Sequence, residues 1–106
     1  MSAKEILEDN VNAKNGSFLH YLHNKSEFNV DSFKKLYAAI RVLADEEVGI
    51  SRAAQDINYV YGQILKCLLF HFDENDEFKI NNLPENYSKL IEYLDKSVEY
   101  YFKTRI

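Results

Sequence analysis

From Leu83 to Phe102, apolar side chains return every third or fourth residue: Leu83, Tyr87, Leu90, Ile91, Leu94, Val98, Tyr101 and Phe102. That spacing lays them along one face of an α-helix and suits no strand, whose faces alternate with a period of two. On the other face lie Glu85/Lys89, Glu92/Lys96 and Glu99/Lys103, each four residues apart with Glu first, the favourable order. Such pairs add only about 0.2–0.5 kcal/mol apiece, so their value here is to mark the solvated side. Pro84 fits the first turn of this helix, where its missing N–H costs nothing.

The rest of the chain reads the same way. Three glycines and one proline in 106 residues are too few for the many turns of an all-β domain. Ser2 and Glu5 form a capping-box pattern ahead of Ile6, Leu7 and Val11. Asn15-Gly16 stops that helix, or forms a hairpin turn between strands. Ser17 caps a short segment, Phe18 to Leu22. Asp31 or Ser32 caps a helix with Phe33, Leu36, Tyr37, Ile40, Leu43 and Ala44 on one face, ended by Gly49. Ser51 caps a long helix that is apolar nearly all round from Ile64 onward, the pattern of the central, most buried element. Phe78 to Ile80 is a fleeting strand or an anchor. The expectation is an all-α single domain over residues 1–106: a compact bundle of four main helices plus a short one, with the helix from about Ser51 to Phe72 central. At this length one core buries somewhat under about 70% of the unfolded surface, enough to fold without staples.

The lone cysteine, Cys67, lies in an apolar run and reads as a small buried hydrophobe, which suits a reducing compartment. No apolar stretch follows a basic start at the N-terminus, and none approaches the roughly 20 residues that span a bilayer. A cytoplasmic protein without membrane contact is expected. The net charge is −4 and the isoelectric point 5.3, which argues against nucleic acid as a partner and permits a basic one.

Catalytic and metal chemistry need converging groups. His20 and His23 are three residues apart on a short helix, but no further ligand pattern accompanies them, and His71 reads as a cationic cap on a helix end. Asp73, Asn75 and Glu77 take the first, third and fifth places of a calcium loop. Its sixth place needs Gly and holds Phe78, and its twelfth needs Glu and holds Pro84. The glycines are scattered singly, so no phosphate loop exists. No enzymatic activity, cofactor or metal is expected.

The stretch Gly49 to Asn58 resembles the first helix of bacterial helix-turn-helix domains, with Ile64 and Leu68 as core positions of a second helix. The resemblance implies a transcriptional or phage-type regulator. Against it, Tyr59 and Val60 occupy the turn where Gly is usual, and the would-be reading helix Tyr61 to Phe70 is mostly apolar with one basic residue.

Fifteen aromatics are tyrosine or phenylalanine, and Tyr21, Tyr59, Tyr93 and Tyr100 fall off the cleanest stripes. Two acidic clusters, Asp45-Glu46-Glu47 and Asp73, Glu74, Asp76 and Glu77, sit at the ends of long helices, where the dipole disfavours negative charge. They are solvated loops or a steering surface for a cationic partner. In size, acidity, these loops and its late Tyr-rich helix, the whole chain resembles the small helical immunity proteins that neutralise contact-delivered toxins or bacteriocins. That resemblance implies a non-catalytic inhibitor of a basic toxin domain, in some cases a nuclease. The binding residues expected are Asp45, Glu46, Glu47, Tyr59, Asp73, Glu74, Asp76, Glu77, Tyr93 and Tyr100. A homo-oligomeric helical protein is a further alternative. An acidic chain with an apolar second helix should give no sequence-dependent, salt-sensitive mobility shift with DNA at sub-micromolar protein. Such a shift would restore the regulator reading.

Overall fold

The computed structural model of the chain describes residues 2–46 and 52–104. Five helices follow one another: α1 (Ala3–Val11), α2 (Phe18–Lys25), α3 (Val30–Glu46), α4 (Arg52–Phe72) and α5 (Tyr87–Lys103). No strand occurs among the described residues. Glu47, Gly49 and Ser51, expected as a cluster member, a helix stop and a cap, lie outside the described residues.

Local chemistry sets most of the boundaries. The Ser2 hydroxyl accepts the Glu5 amide and hydrogen-bonds the Glu5 carboxylate, both at 3.1 Å. Ser17 caps α2 by accepting the His20 amide at 3.2 Å. α1 ends at Val11 with Asn12 as its C-cap and Ala13 at φ +48°, so Asn15-Gly16 is neither the helix stop nor a hairpin; Gly16, at φ +95°, turns the loop toward Ser17. The cap of α3 is Asn29, not Asp31 or Ser32. Its Oδ1 accepts the Ser32 amide at 2.9 Å. Asp31 and Ser32 are already helical, and a cap must precede the first turn. Pro84 also lies outside its expected helix. Its carbonyl accepts the Tyr87 amide at 3.1 Å, in a turn ahead of α5. Glu85 is therefore off the helix and makes no ion pair among the described residues. Glu92/Lys96 and Glu99/Lys103 close at 3.1 and 2.8 Å.

The helices pack in a ring. α1 lies against both α3 and α4, α5 lies along α3, and α2 closes one end against α1, α3 and α4. α4 and α5 meet through long side chains. The Tyr61 hydroxyl donates to the Asp95 carboxylate, and the Phe72 and Tyr87 rings sit 5.5 Å apart. These two pairs make α4 antiparallel to α5. α4 gives Ile57, Val60, Ile64 and Cys67 to the core. The all-round burial expected for its second half needs correction. Leu68 is only half-buried, and Leu69, Phe70 and Phe72 are 71%, 41% and 55% exposed. α3 shares the central role, packing on three neighbours where α4's last turns have solvent on one side.

Phe18, Phe28 and Phe33 form the densest part of the core, with ring centroids 4.9 to 5.0 Å apart. Two distant loops are pinned there. Asn82 accepts the Phe28 amide at 2.7 Å and donates back to the Phe28 carbonyl at 3.2 Å, across 54 residues of chain. The Asn81 amide donates to the Ser26 carbonyl at 2.8 Å. Ile80, buried beside them, donates its amide to His71 Nδ1 at 2.8 Å. His71 thus anchors the loop after α4 through its ring nitrogen. Asn10, also buried, joins α1 to α2. Its Nδ2 donates to the Ile6 carbonyl at 3.0 Å and its Oδ1 accepts the Leu19 amide at 3.1 Å.

Leu94→Ala should cost about 2–5 kcal/mol, as for a fully buried leucine, and half-buried Leu68→Ala should cost less. Asn82→Ala, which orphans two backbone groups, should cost about 1–3 kcal/mol. Denaturant unfolding checks all three, and an order reversed between Leu94 and Leu68 would mean the core is misplaced.

Candidate functional site

The expected binding residues fall into separate groups. The second acidic cluster follows directly on α4. Asp73 Oδ1 accepts the Asn75 amide at 2.9 Å, and Asp76 Oδ1 accepts the Phe78 amide at 2.8 Å, so each aspartate builds a turn with one carboxylate oxygen. Lys79 folds inward and donates to the carbonyls of Asp73 and Asp76 at 2.9 and 2.8 Å. Glu74 and Glu77 are exposed. The cluster thus adjoins Leu69, Phe70 and Phe72, the apolar side chains that α4 leaves in solvent.

Asp45, from the first cluster, is brought to Tyr100 instead. The Tyr100 hydroxyl donates to the Asp45 carboxylate at 2.5 Å. The Arg41 guanidinium lies over the Tyr100 ring, 4.2 Å from its centroid. The bond to Asp45, then the charge of Asp45, push the Tyr100 phenol above its ordinary range, with Arg41 opposing. These two expected docking residues therefore brace α3 against α5. Glu46 is exposed at the end of α3. Tyr93 packs on Tyr37 with centroids 5.8 Å apart and shares a cleft with Arg41 and Lys96. Tyr59 is exposed on α4, two residues from Tyr61 and so on the side turned away from α5.

Cys67, His20 and His71, of types that carry catalysis in other proteins, are each engaged within the fold. Cys67 lies in the core and burial raises its thiol, which disfavours the nucleophilic thiolate. His20 Nδ1 accepts from the Asn24 amide at 2.9 Å, and His71 holds Ile80. Among the described residues, no three His, Cys, Asp or Glu are grouped to hold a metal ion. Nor is any helix among them long and apolar enough to cross a membrane. The helix-turn-helix pattern needs a break near Tyr59 and Val60. α4 runs through both without interruption, and Val60 is fully buried.

The sequence missed two features. The exposed end of α4 was hidden because its residues continue an apolar run. The cationic cleft between α3 and α5 was hidden because Lys96 and Lys103 read as a solvated face and nothing in one dimension sets Arg41 beside them.

Tyr61 has a measurable consequence. Burial first, then the bond to Asp95 and the Asp95 charge, push its phenol from 10 to about 12. A phenol raised on folding stabilises fully below pH 10, and that stabilisation is lost as pH rises through about 12. Tyr61→Phe should therefore flatten the fall in stability over that window relative to the parent chain. Absorbance titration of the phenols alongside unfolding at several alkaline pH values checks it, and parallel curves for the two proteins would contradict it.

Comparison with known proteins finds no match: no family model fits the chain, and no curated protein or solved structure is detectably similar to it.

Proposed function

We propose that the protein is a non-catalytic binding protein, an inhibitor of the immunity type, that docks a cationic protein through the end of α4 and the loop after it. One observation carries the reading. Leu69, Phe70 and Phe72 are held in solvent directly beside Asp73, Glu74, Asp76 and Glu77. Exposing large apolar side chains forgoes burial worth about 1.5–3 kcal/mol each, so a cluster of them marks a surface used for contact. An apolar centre with a charged rim is the anatomy of a protein interface. The carboxylates steer a basic partner and fix its orientation, and the rings supply the buried anchors.

The committed positions of Cys67, His20 and His71 support a binding role over a catalytic one. So does the turn geometry of Asp73 and Asp76, whose two hydrogen bonds pre-order part of the acidic loop and lower the ordering cost of association. A toxin domain with a basic, substrate-binding cleft is the partner this surface suits.

Capture from the native host should recover a basic protein, whose binding kinetics then separate the two contributions. Converting Asp73, Glu74, Asp76 and Glu77 to their amides should slow association and flatten its salt dependence. Stability should hold, because asparagine still accepts the turn-forming amides. Phe72→Ala should mainly speed dissociation, by about 30-fold if it costs the roughly 2 kcal/mol of a hot spot. Recovery of no basic partner, or unchanged kinetics in both variants, would remove the proposal.

A further inference from the structure

On the side of α5 turned away from Asp95, the surface between α3 and α5 opens a cleft of about 220 Å³ lined by Tyr37, Ala38, Arg41, Tyr93, Lys96 and Ser97. Beyond Arg41 lies a second hollow of about 230 Å³ bounded by Lys96, Glu99, Tyr100 and Lys103, in which the Glu99 carboxylate is taken up by Lys103 at 2.8 Å. Ser97 is 4% exposed, and its hydroxyl has no hydrogen-bond partner among the described residues. Buried hydroxyls are almost always paired, so this one asks for an acceptor from outside the chain.

The other polar side chains lining the first cleft can all donate. No carboxylate of the described residues lies within ion-pair distance of Arg41, because Asp45 is taken by the Tyr100 hydroxyl. The Tyr100 ring holds the Arg41 guanidinium at the cleft's edge, 4.2 Å from the ring centroid, and a guanidinium offers a fork for two oxygens of one group. The Tyr37 and Tyr93 rings pack together, and neither phenol hydroxyl has a protein partner among the described residues. The Lys96 ammonium adds positive charge, shared with Glu92 at 3.1 Å.

We propose that this cleft binds an oxyanion, the phosphate or carboxylate of an acidic ligand, with Arg41 as the fork and Ser97 as the buried donor. The phenols of Tyr37 and Tyr93 flank the bound group and exclude water. The oxyanion is either a free small ion or an acidic side chain presented by a peptide, and both offer the same planar or tetrahedral oxygens. The site lies between α3 and α5, the acidic loop follows α4, and the inference does not rest on the proposed docking of a basic protein.

The test is a two-dimensional amide NMR titration of the whole chain, at constant ionic strength, with inorganic phosphate and separately with an acetylated tri-glutamate peptide. Saturable shifts confined to Ala38, Arg41, Ser97 and their neighbours are expected with at least one probe. The tighter probe identifies the source. Arg41→Met, at an exposed position that keeps an apolar stem, should weaken binding at least about tenfold, with partial recovery in Arg41→Lys. Ser97→Ala should weaken it several-fold while leaving the rest of the spectrum in place. Absence of saturable shifts with both probes, shifts spread over all lysines, or equal affinity in Arg41→Met would overturn the proposal.

Discussion

The contact of Phe18, Phe28 and Phe33 is the constraint on which the other packing depends. The three rings come from the start of α2, the loop after it and the first turn of α3, so their contact fixes how α2 turns into α3. A loop residue as apolar as Phe28 reaches the core only if its backbone polar groups are satisfied there. Asn82 does this from 54 residues further along the chain, accepting from and donating to the same residue. The connection between α4 and α5 is thereby tied to the connection between α2 and α3. The direction of α5 along α3 follows from that tie.

With α5 placed, two phenol–carboxylate bonds set the character of the surface. Tyr61 with Asp95 links α5 to α4, and Tyr100 with Asp45 links it to α3. Each takes up a carboxylate that would otherwise face solvent or a neighbouring cation. The effect is sharpest around Arg41, which lies four residues before Asp45 on the same helix yet stacks on Tyr100 instead of pairing. Lys96 and Lys103 on the same side of α5 are paired with Glu92 and Glu99, so among the cations there Arg41 is the one held by a ring and not by a carboxylate.

The functional surfaces were legible in part. The acidic residues Asp73 to Glu77 stand out in the sequence because they interrupt two apolar segments. That Leu69, Phe70 and Phe72 remain outside could not be read from the same run. An apolar stretch specifies a wish for burial and not the presence of a neighbour, and here α5 approaches α4 only through long side chains. Asp45 and Tyr100 were singled out as docking residues from their chemistry, and the fold spends them on each other. Ser97 looked like one more polar residue in an amphipathic helix. Its burial depends on how closely α3 lies against α5.

Helical class, helix number and several boundaries were determined by the sequence alone, because they rest on interactions within a few residues: the stripe from Leu90 to Phe102 and the caps at Ser2 and Ser17. The exceptions are of the same local kind and were decided by finer geometry, as where Asn29 displaces Asp31 and Ser32, or Pro84 falls one turn short of its helix. The tertiary structure alone decided which apolar side chains are left in solvent, which carboxylates are consumed by phenols, and where Arg41 and Ser97 meet. Those outcomes depend on pairs such as Phe28 with Asn82, separated by 54 residues. A periodic pattern fixes the face of each helix, but the partner of that face is set only when distant loops close on one another.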